Sequence, residues 1–348
     1  MRTIEPDQSS LYNFQTMKVS ELGEFGLIKL LADTLGQGGA KHELLLGIGD
    51  DAAAWKNPKG ITLATTDTMV QGVHFTAKCT WEEVGWKSMA INLSDIAAMG
   101  GIPKYALVAL SLPADMQRDD VVGLYQGIGK AVKEFDVAVV GGNISRAPAV
   151  TITITLIGEA FRGRMLTRSG AMPWDVIFVT GYLGSSAAGQ RMLSEDLKLD
   201  SETAAFLRAA HVRPQPRVAQ GQRLATLGVR AAIDISDGLL SDIAHICEES
   251  QVGARISIDK IPIHPMVAGA FGEEALDFAL AGGEDYELLF TARKNIAELV
   301  KKRLGCQVTM IGEVAAKEPG VVTLLDKDGN PVTWQQKGWD HFQINPKS

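Results

Sequence analysis

Residues 81–101 read WEEVGWKSMAINLSDIAAMGG, an apolar run that carries the carboxylate of Asp95 close to its end. Its apolar residues recur at intervals of three and four over 81–99, which predicts a helix. A strand-like run, 61–65, precedes this helix, and another, 105–111, follows it. The pattern is that of an α+β fold rather than of a strict βαβ series.

The same patterns continue along the chain. Further strands are predicted at 137–140, 150–157, 176–180, 231–235 and 254–258, and further helices at 23–36, 118–135, 217–227 and 238–250. A basic, glycine-containing segment, 162–173, separates the two groups. We therefore predict a mobile N-terminal extension over residues 1–20, a first α/β domain over 21–160 and a second over 161–348.

Composition limits the function classes. The chain has 348 residues, 46% of them apolar, and a net charge of −7 from 34 Lys plus Arg against 41 Asp plus Glu. A large core is expected, and the lack of a long basic run argues against a nucleic-acid or anionic-membrane partner. The three cysteines are widely spaced, which indicates neither a disulfide framework nor a zinc site. Because no signal peptide or long apolar span is seen, we expect a cytoplasmic protein.

Six short polar motifs interrupt the apolar runs. They are GIGDD (47–51), TTDT (65–68), NLSD (92–95), GGN (141–143), DISDG (234–238) and GGEDYE (282–287). Carboxylate, hydroxyl and amide oxygens suit Mg²⁺ and the phosphates that it bridges. The acidic excess would repel a phosphorylated substrate unless cations intervened. Together the motifs predict a metal-dependent phosphoryl-transfer enzyme.

Each motif alone also has an ordinary structural interpretation. GIGDD fits a surface turn, and TTDT fits the end of an apolar strand. Asp95 needs a cation, a partner or a hydrogen bond to the following glycines, because an unpaired buried charge is costly. Asp237 fits the N-cap of the next helix as well as a metal site.

Other residues bear on the chemistry less directly. GYLGSSAAG (181–189) lacks the ending of a P-loop, and no lysine accompanies the motifs, so P-loop and protein-kinase machinery is disfavoured. Arg168 is a candidate ligand for a polyphosphate and equally a solvated surface arginine. His74 would suit a substrate contact, although a lone histidine is more often structural. No nucleophile elbow or activated cysteine is present.

The motifs taken together resemble the thiamine-monophosphate kinase family, in the superfamily that also holds aminoimidazole ribonucleotide synthetase and selenophosphate synthetase. The resemblance runs from 23 to 342 and rests on GEFGLI, GIGDDAA, TTDTMVQGVHF, NLSDIAAMGG, LTRSGA, AIDISDGL, GGEDYEL and KGWDHF. It implies the two-domain synthetase architecture and a homodimer whose N-terminal halves join their sheets into a barrel. It also implies transfer of the ATP γ-phosphoryl group to thiamine monophosphate, giving thiamine diphosphate, with several Mg²⁺ ions and often K⁺.

The resemblance further implies a role for each matching residue. The metal ligands would be Asp51, Thr65, Thr66, Asp67, Asp95, Asn143, Asp234 and Asp237. Gly142, Asn143, Arg168 and Ser236 would contact ATP, and His74, Glu284 and Trp339 would contact the thiamine moiety, with Trp339 stacking on its cationic thiazolium or on its pyrimidine. No dedicated general base is predicted, because the acceptor phosphate is largely ionised at neutral pH.

Asn143 departs from the family pattern, which often has Asp after the two glycines. An amide oxygen can bind Mg²⁺ but brings no charge, so one ion should bind more weakly.

Two alternatives remain open. One is another ATP-dependent enzyme of the superfamily with a different acceptor; selenophosphate synthetase would require a reactive cysteine in a glycine-rich segment, which is absent before Cys79. The other is a non-catalytic nucleotide- or metal-binding module, against which the intact carboxylates of TTDT, LSD and DISDG argue.

Overall fold

The structure, a computed structural model, describes residues 19–35 and 43–334. Helix α1, Val19–Leu35, falls in a different compact unit from Glu43–Gly338 and is described by itself. It agrees with the helix predicted at 23–36. The predicted N-terminal extension lies outside the described residues except for its last two. No helix in the described ranges is both long and apolar enough to cross a membrane.

The first sheet, sheet A, has six strands in the order β1-β2-β3-β6-β4-β5. The strands are β1 Leu44–Leu46, β2 Ala53–Asn57, β3 Gly60–Val70, β4 Gly101–Leu112, β5 Ala138–Arg146 and β6 Thr151–Ala160. Neighbouring strands run antiparallel except β4 and β5, which are parallel. Two helices accompany the sheet, α2 Trp81–Ala98 and α3 Arg118–Glu134.

The second sheet, sheet B, has seven strands in the order β13-β12-β9-β11-β7-β10-β8. The strands are β7 Val176–Thr180, β8 Ala231–Asp234, β9 Gly253–Ser257, β10 Leu288–Ala292, β11 Val308–Ala315, β12 Val322–Leu325 and β13 Pro331–Val332. The helices in this part are α4 Ser185–Glu195, α5 Ser201–Val212, α6 Val218–Leu227, α7 Leu239–Glu249, α8 Pro265–Phe271, α9 Glu274–Ala281 and α10 Ala297–Arg303.

The strands of sheet A bury one face. In β6 the isoleucines Ile152 and Ile154 are buried while the alternating threonines point to the opposite face, as the Thr/Ile pattern of this segment predicts. Helix α2 contacts β3, β4 and β6. Asp95, the predicted metal ligand that belongs to this helix, is therefore held on the covered side of the sheet.

Helix α2 is almost wholly buried, and glycines make this possible. A capping box of Thr80 and Glu83 starts the helix. Against α3, a Cβ on Gly127 would lie 2.0 Å from the Glu82 carbonyl oxygen. Against α6, a Cβ on Gly221 would lie 1.9 Å from the Ala97 carbonyl oxygen. Both neighbouring helices thus approach the backbone of α2 more closely than any larger residue would allow.

Two strands extend further than the sequence predicts. TTDT lies inside β3 instead of ending it, and GGN lies inside β5 instead of forming a turn. In β5 the glycine is needed for close approach, because a Cβ on Gly142 would lie 1.8 Å from the carbonyl oxygen of Val108 in β4. Glycine is commonly a turn signal, whereas here it permits close strand packing.

We expect Gly127→Ala to lower the free energy of unfolding by about 1 to 3 kcal/mol, because the added methyl group would push α3 away from α2. Gly129→Ala is the matched control: nothing lies within 4 Å of its Cβ position, and alanine favours the helix by up to about 1 kcal/mol. Urea denaturation followed by circular dichroism measures both. Equal stability of the two variants would contradict the packing described.

Candidate active site

Three carboxylates meet in the fold, two of them buried and that of Asp95 half-buried. Asp51 lies in the loop between β1 and β2, Asp95 in the last turn of α2, and Asp234 at the end of β8. Oxygen atoms from the three side chains all lie within 4.8 Å of one another. We call these residues the acidic cluster. They are three of the predicted metal ligands, and they come from distant parts of the sequence.

Neighbouring hydroxyl groups orient the acidic cluster. Thr65 Oγ1 donates a 2.5 Å hydrogen bond to Asp95 Oδ2, and Ser94 Oγ donates one of 2.5 Å to Asp234 Oδ2. Asp67 lies on the same face of β3 as Thr65, and its backbone N–H donates to Asn92 Oδ1 at 3.1 Å. Helix α2 thus supplies Asp95 to the cluster, Ser94 to bond to Asp234, and Asn92 to bond to the backbone of Asp67.

Arg168 is the cation of the site. Its Nε and Nη2 donate to Asp51 Oδ1 at 3.2 and 2.5 Å, and its backbone N–H donates to the carboxylate of Asp50. Its side chain is only 20% exposed, so the interpretation as a solvated surface arginine is wrong. Binding to Asp51 uses part of the five-donor guanidinium and leaves further donors for a phosphate.

The cluster lacks enough positive charge to ionise fully. Burial raises the pKa of Asp234 to about 8, with repulsion from Asp51 adding to the shift. Burial, followed by repulsion from Asp67 and the other cluster carboxylates, raises the pKa of Asp95 well above its ordinary value. Burial and Asp51 also raise the pKa of Asp50 to about 7. One arginine is therefore insufficient for this density of carboxylates.

The donor set fits a divalent cation. Asp51 Oδ2 is buried without a hydrogen-bond partner, while the other oxygen of the same carboxylate binds Arg168. An orphaned carboxylate oxygen beside two further acids is a ligand set for a hard cation, and hard oxygen ligands favour Mg²⁺ over softer metals. The residues present thus fit the metal that the sequence predicts.

Two predicted ligands do not join the acidic cluster within one chain. Thr66 points to the opposite face of β3, where its hydroxyl lies 3.1 Å from Thr155 Oγ1. Asn143 shares that face, because the strand register aligns it with Ala109, Thr153 and Thr68. Strand β5 also lies three strands from β3, which is about 14 Å.

The DISDG turn differs in one respect from its prediction. Gly238, not Asp237, occupies the N-cap of α7. Asp242, in the first turn of α7, accepts the backbone N–H groups of Asp237 and Gly238 at 3.3 and 3.1 Å. Glycine tolerates the positive φ of 111° found there, and Asp242 replaces the missing cap from inside the helix. The alternative interpretation of Asp237 as the N-cap residue is therefore wrong, and its metal role stays a prediction.

Two of the predicted substrate residues, His74 and Glu284, lie on the side of α2 that faces residues 282–287. Both residues border Lys87 of α2: His74 lines a small pocket with it, and Glu284 Oε1 lies 2.7 Å from its Nζ. His74 Nδ1 accepts the backbone N–H of Val70 at 3.0 Å, so a neutral His74 carries its proton on Nε2. The third predicted residue, Trp339, lies outside the described residues.

Sequence reasoning missed Lys87. This lysine is buried in α2, and its Nζ lies 2.7 Å from Glu284 Oε1. The expectation that no lysine accompanies the motifs is therefore wrong, because Lys87 reaches across the fold to GGEDYE. A usable signal existed: Lys87 is the one basic residue in the apolar run 84–99.

Comparisons with known proteins agree with this architecture. Residues 49–160 match the AIR synthase related protein N-terminal domain, and residues 174–324 match the AIR synthase related protein C-terminal domain. The thiamine-monophosphate kinase of Escherichia coli (strain K12) is 40% identical over 326 residues, which cover 92% of this chain and 98% of that protein. The thiamine-monophosphate kinase of Aquifex aeolicus (strain VF5) is 37% identical over 329 residues, which cover 94% of this chain and 100% of that protein.

A solved structure shows the same fold. AaThiL complexed with AMPPCP and TMP matches with a TM-score of 0.83 at 36% identity, over 94% of this chain and 99% of that one. The fold and site thus define a two-domain protein of the AIR synthase related class, and the predicted architecture is confirmed. Within that class, the chain belongs to the thiamine-monophosphate kinase family.

We expect the stability of the metal-free protein to fall as pH rises. The pKa values of Asp50 and Asp234 are about 7 and about 8, above the ordinary 3.8. Carboxyl groups with raised pKa values favour the folded state when protonated, so that this stability is full below about pH 4 and is lost as pH rises through 7 to 8. Mg²⁺ should reverse the loss, because it replaces the protons.

Thermal melting at pH 5.5, 6.5, 7.5 and 8.5, with EDTA and with MgCl₂, measures this effect. The increase in Tm caused by Mg²⁺ should grow with pH. An increase that is the same at every pH, or largest at pH 5.5, would contradict the cation site.

Proposed function

We propose that this chain catalyses ATP-dependent phosphorylation of thiamine monophosphate to thiamine diphosphate, with the acidic cluster holding Mg²⁺. The observation that carries the proposal is the meeting of Asp51, Asp95 and Asp234 beside Arg168. Such a set neutralises and orients a polyphosphate, and phosphoryl transfer depends chiefly on positioning and charge stabilisation. The bound AMPPCP and TMP of the related AaThiL structure support both substrates.

Different residues have different roles in an in-line displacement. Asp51, Asp67, Asp95, Asp234 and Asp237 hold Mg²⁺, which when bound would neutralise the phosphate oxygens. Arg168, anchored by Asp51, directs its remaining donors to the nucleotide phosphates. Gly142 and Ser236 provide further nucleotide contacts.

Transfer needs no protein nucleophile. An oxygen of the acceptor phosphate forms a bond to the γ-phosphorus, and the bond from that phosphorus to the β,γ-bridging oxygen breaks, releasing ADP. The acceptor oxygen is already ionised at neutral pH, so no general base has to remove a proton. His74, Glu284 and Trp339 would hold the thiamine end, which places the acceptor phosphate toward the acidic cluster.

We extend the proposal to a homodimer formed through sheet A. Every residue of β5 is exposed, and among the described strands β5 lies at the edge of sheet A, paired only with β4; it carries Val140 and Ile144 at 59% and 71% exposure. A long exposed apolar edge strand is normally covered in the native assembly. Thr66 and Asn143 point away from the cluster of their own chain, so we propose that their metal and nucleotide roles are fulfilled at the dimer interface.

Other features of the proposal rest on the family resemblance. We propose that the enzyme works in the cytoplasm and that K⁺ assists Mg²⁺, which replacement of KCl by NaCl in the assay tests. We retain the division into an extension over 1–20 and domains over 21–160 and 161–348.

The direct test incubates the purified protein with ATP, Mg²⁺ and thiamine monophosphate and measures thiamine diphosphate and ADP by chromatography. We expect equal amounts of both products, none with AMPPCP, and none with unphosphorylated thiamine as the acceptor.

Asp95→Asn should lower kcat about 100-fold or more through loss of the metal. The same variant should raise the Tm of the metal-free protein, because it removes one of the repelling charges.

The exposed Asp328 provides the matched control, and Asp328→Asn should change neither quantity. Near-normal turnover by Asp95→Asn would refute its role as a ligand. Absence of thiamine diphosphate at high Mg²⁺ would reject the acceptor and direct the search to other acceptors of the superfamily or to a non-catalytic binding role.

We expect Asn143→Asp to lower the Mg²⁺ concentration that gives the half-maximal rate by several-fold, because a carboxylate attracts the ion and an amide does not. Rates measured across a Mg²⁺ titration at saturating ATP test this. An unchanged or higher requirement would contradict a metal role for residue 143.

A further inference from the structure

Lys87 is an unusual residue for the middle of a buried helix. It is 3% exposed and lies on α2, whose neighbouring residues Trp86, Ser88 and Met89 are equally buried. A buried ammonium group is costly unless it is paired with an anion. Its partner is Glu284, whose Oε1 lies 2.7 Å from Nζ. The ion pair joins α2 to a turn almost 200 residues later in the chain.

The backbone of Glu284 is fixed independently of Lys87. Its φ of 65° is in the left-handed region, which a glutamate adopts only when its surroundings enforce it. The enforcing contacts are hydrogen bonds from Glu284 N–H to the Ser236 carbonyl at 2.8 Å and from Tyr286 N–H to the Ile235 carbonyl at 2.9 Å. Gly283 fits against Ser236 only because it has no Cβ. The turn is therefore clamped onto the DISDG segment, and only the side chain of Glu284 remains to be oriented.

Lys87 is the cation that orients this side chain. The other neighbour is His211, whose Nδ1 lies 3.5 Å from Glu284 Oε2 and 3.2 Å from Ser186 Oγ. Burial, with Lys87 adding to it, lowers the pKa of His211 to about 4, so His211 is neutral at pH 7. Burial alone would raise the pKa of Glu284, but the ammonium group of Lys87 lowers it below its ordinary value. Glu284 is thus an ionised carboxylate, and Lys87 is the charged group that pairs with it.

Lys87 and Asp95 lie at different levels of α2. Lys87 precedes Asp95 by eight residues, which is roughly 12 Å along a helix. The last turn of α2 therefore contributes to the acidic cluster, and Lys87, about two turns earlier, pairs with the Glu284 carboxylate. His74 lines a small pocket together with Lys87, Met69 and Phe75.

We propose that Lys87 is a positioning residue for acceptor recognition: it holds the Glu284 carboxylate in the direction that meets the organic, non-phosphate end of the acceptor. The inference rests on the proposed function, since it assumes that Glu284 contacts the acceptor. Lys87 itself acts through Glu284 and does not touch the phosphates.

The test measures steady-state kinetics of Lys87→Met, Glu284→Gln and the double variant. Lys87→Met should raise the KM for thiamine monophosphate about ten-fold, with kcat and the KM for ATP changed less than about two-fold. The double variant should have the same acceptor KM as Glu284→Gln alone, because Lys87 has no effect once its target is altered. Lys130→Met is the matched control, since Lys130 of α3 forms an exposed ion pair with Glu82 of α2. The kinetics of this variant should not change.

Several results would overturn the inference. One is an unchanged acceptor KM in Lys87→Met. Another is a fall in kcat accompanied by equal increases in the KM for thiamine monophosphate and the KM for ATP, which would indicate general damage to the fold. If Lys87→Met does not fold because Glu284 is left unpaired, the double variant decides, since it removes both charges: an acceptor KM above that of Glu284→Gln would show that Lys87 acts directly. Failure of the unsubstituted chain to phosphorylate thiamine monophosphate would reject the proposed function and the inference with it.

Discussion

The repulsion among Asp51, Asp95 and Asp234 is the constraint on which the structure of the site depends. Each carboxylate belongs to a different part of the fold, and one oxygen from each lies within 4.8 Å of the other two, with Asp51 and Asp234 buried and Asp95 half-buried. Ionised together, they would destabilise the fold, and Arg168 compensates only Asp51 directly. The protein therefore needs protons or a cation at this point. In the proposed function this is also where phosphate charge is neutralised, and such a trade-off between stability and activity is common at functional sites.

Helix α2 connects this constraint to the rest of the molecule. Glycines on α3 and α6 let both helices approach its backbone, so that α2 is buried and its orientation is fixed. From this rigid position it places Asp95 in the acidic cluster, offers Ser94 to Asp234 and presents Lys87 to Glu284. A side chain on a packed helix is located more accurately than one on a loop. Helix α2 thus positions both the groups proposed to act at the phosphates and the group proposed to act at the organic end of the acceptor.

Much of the architecture could be predicted from local patterns. The Thr/Ile alternation of β6 and the spacing in α2 each reflect a buried face, and the structure confirms both elements. Long-range relations were not accessible in this way. Nothing near Lys87 in the sequence indicates Glu284, and the register of sheet A, which sends Asn143 to the opposite face from Asp67, follows from strand pairing that one sequence does not reveal. The structural meaning of a glycine in the sequence is ambiguous too, because Gly142 permits close strand packing where the sequence predicts a turn.

The proposed mechanism depends on the acidic cluster being the metal site. Crystals grown with Mn²⁺ and AMPPCP, with anomalous diffraction recorded near the manganese absorption edge, provide the test. We expect at least one anomalous peak within direct coordination distance of oxygens from Asp51, Asp95 and Asp234, between these residues and the nucleotide phosphates. Peaks confined to other positions, with the three carboxylates bonded only to one another and to Arg168, would contradict it.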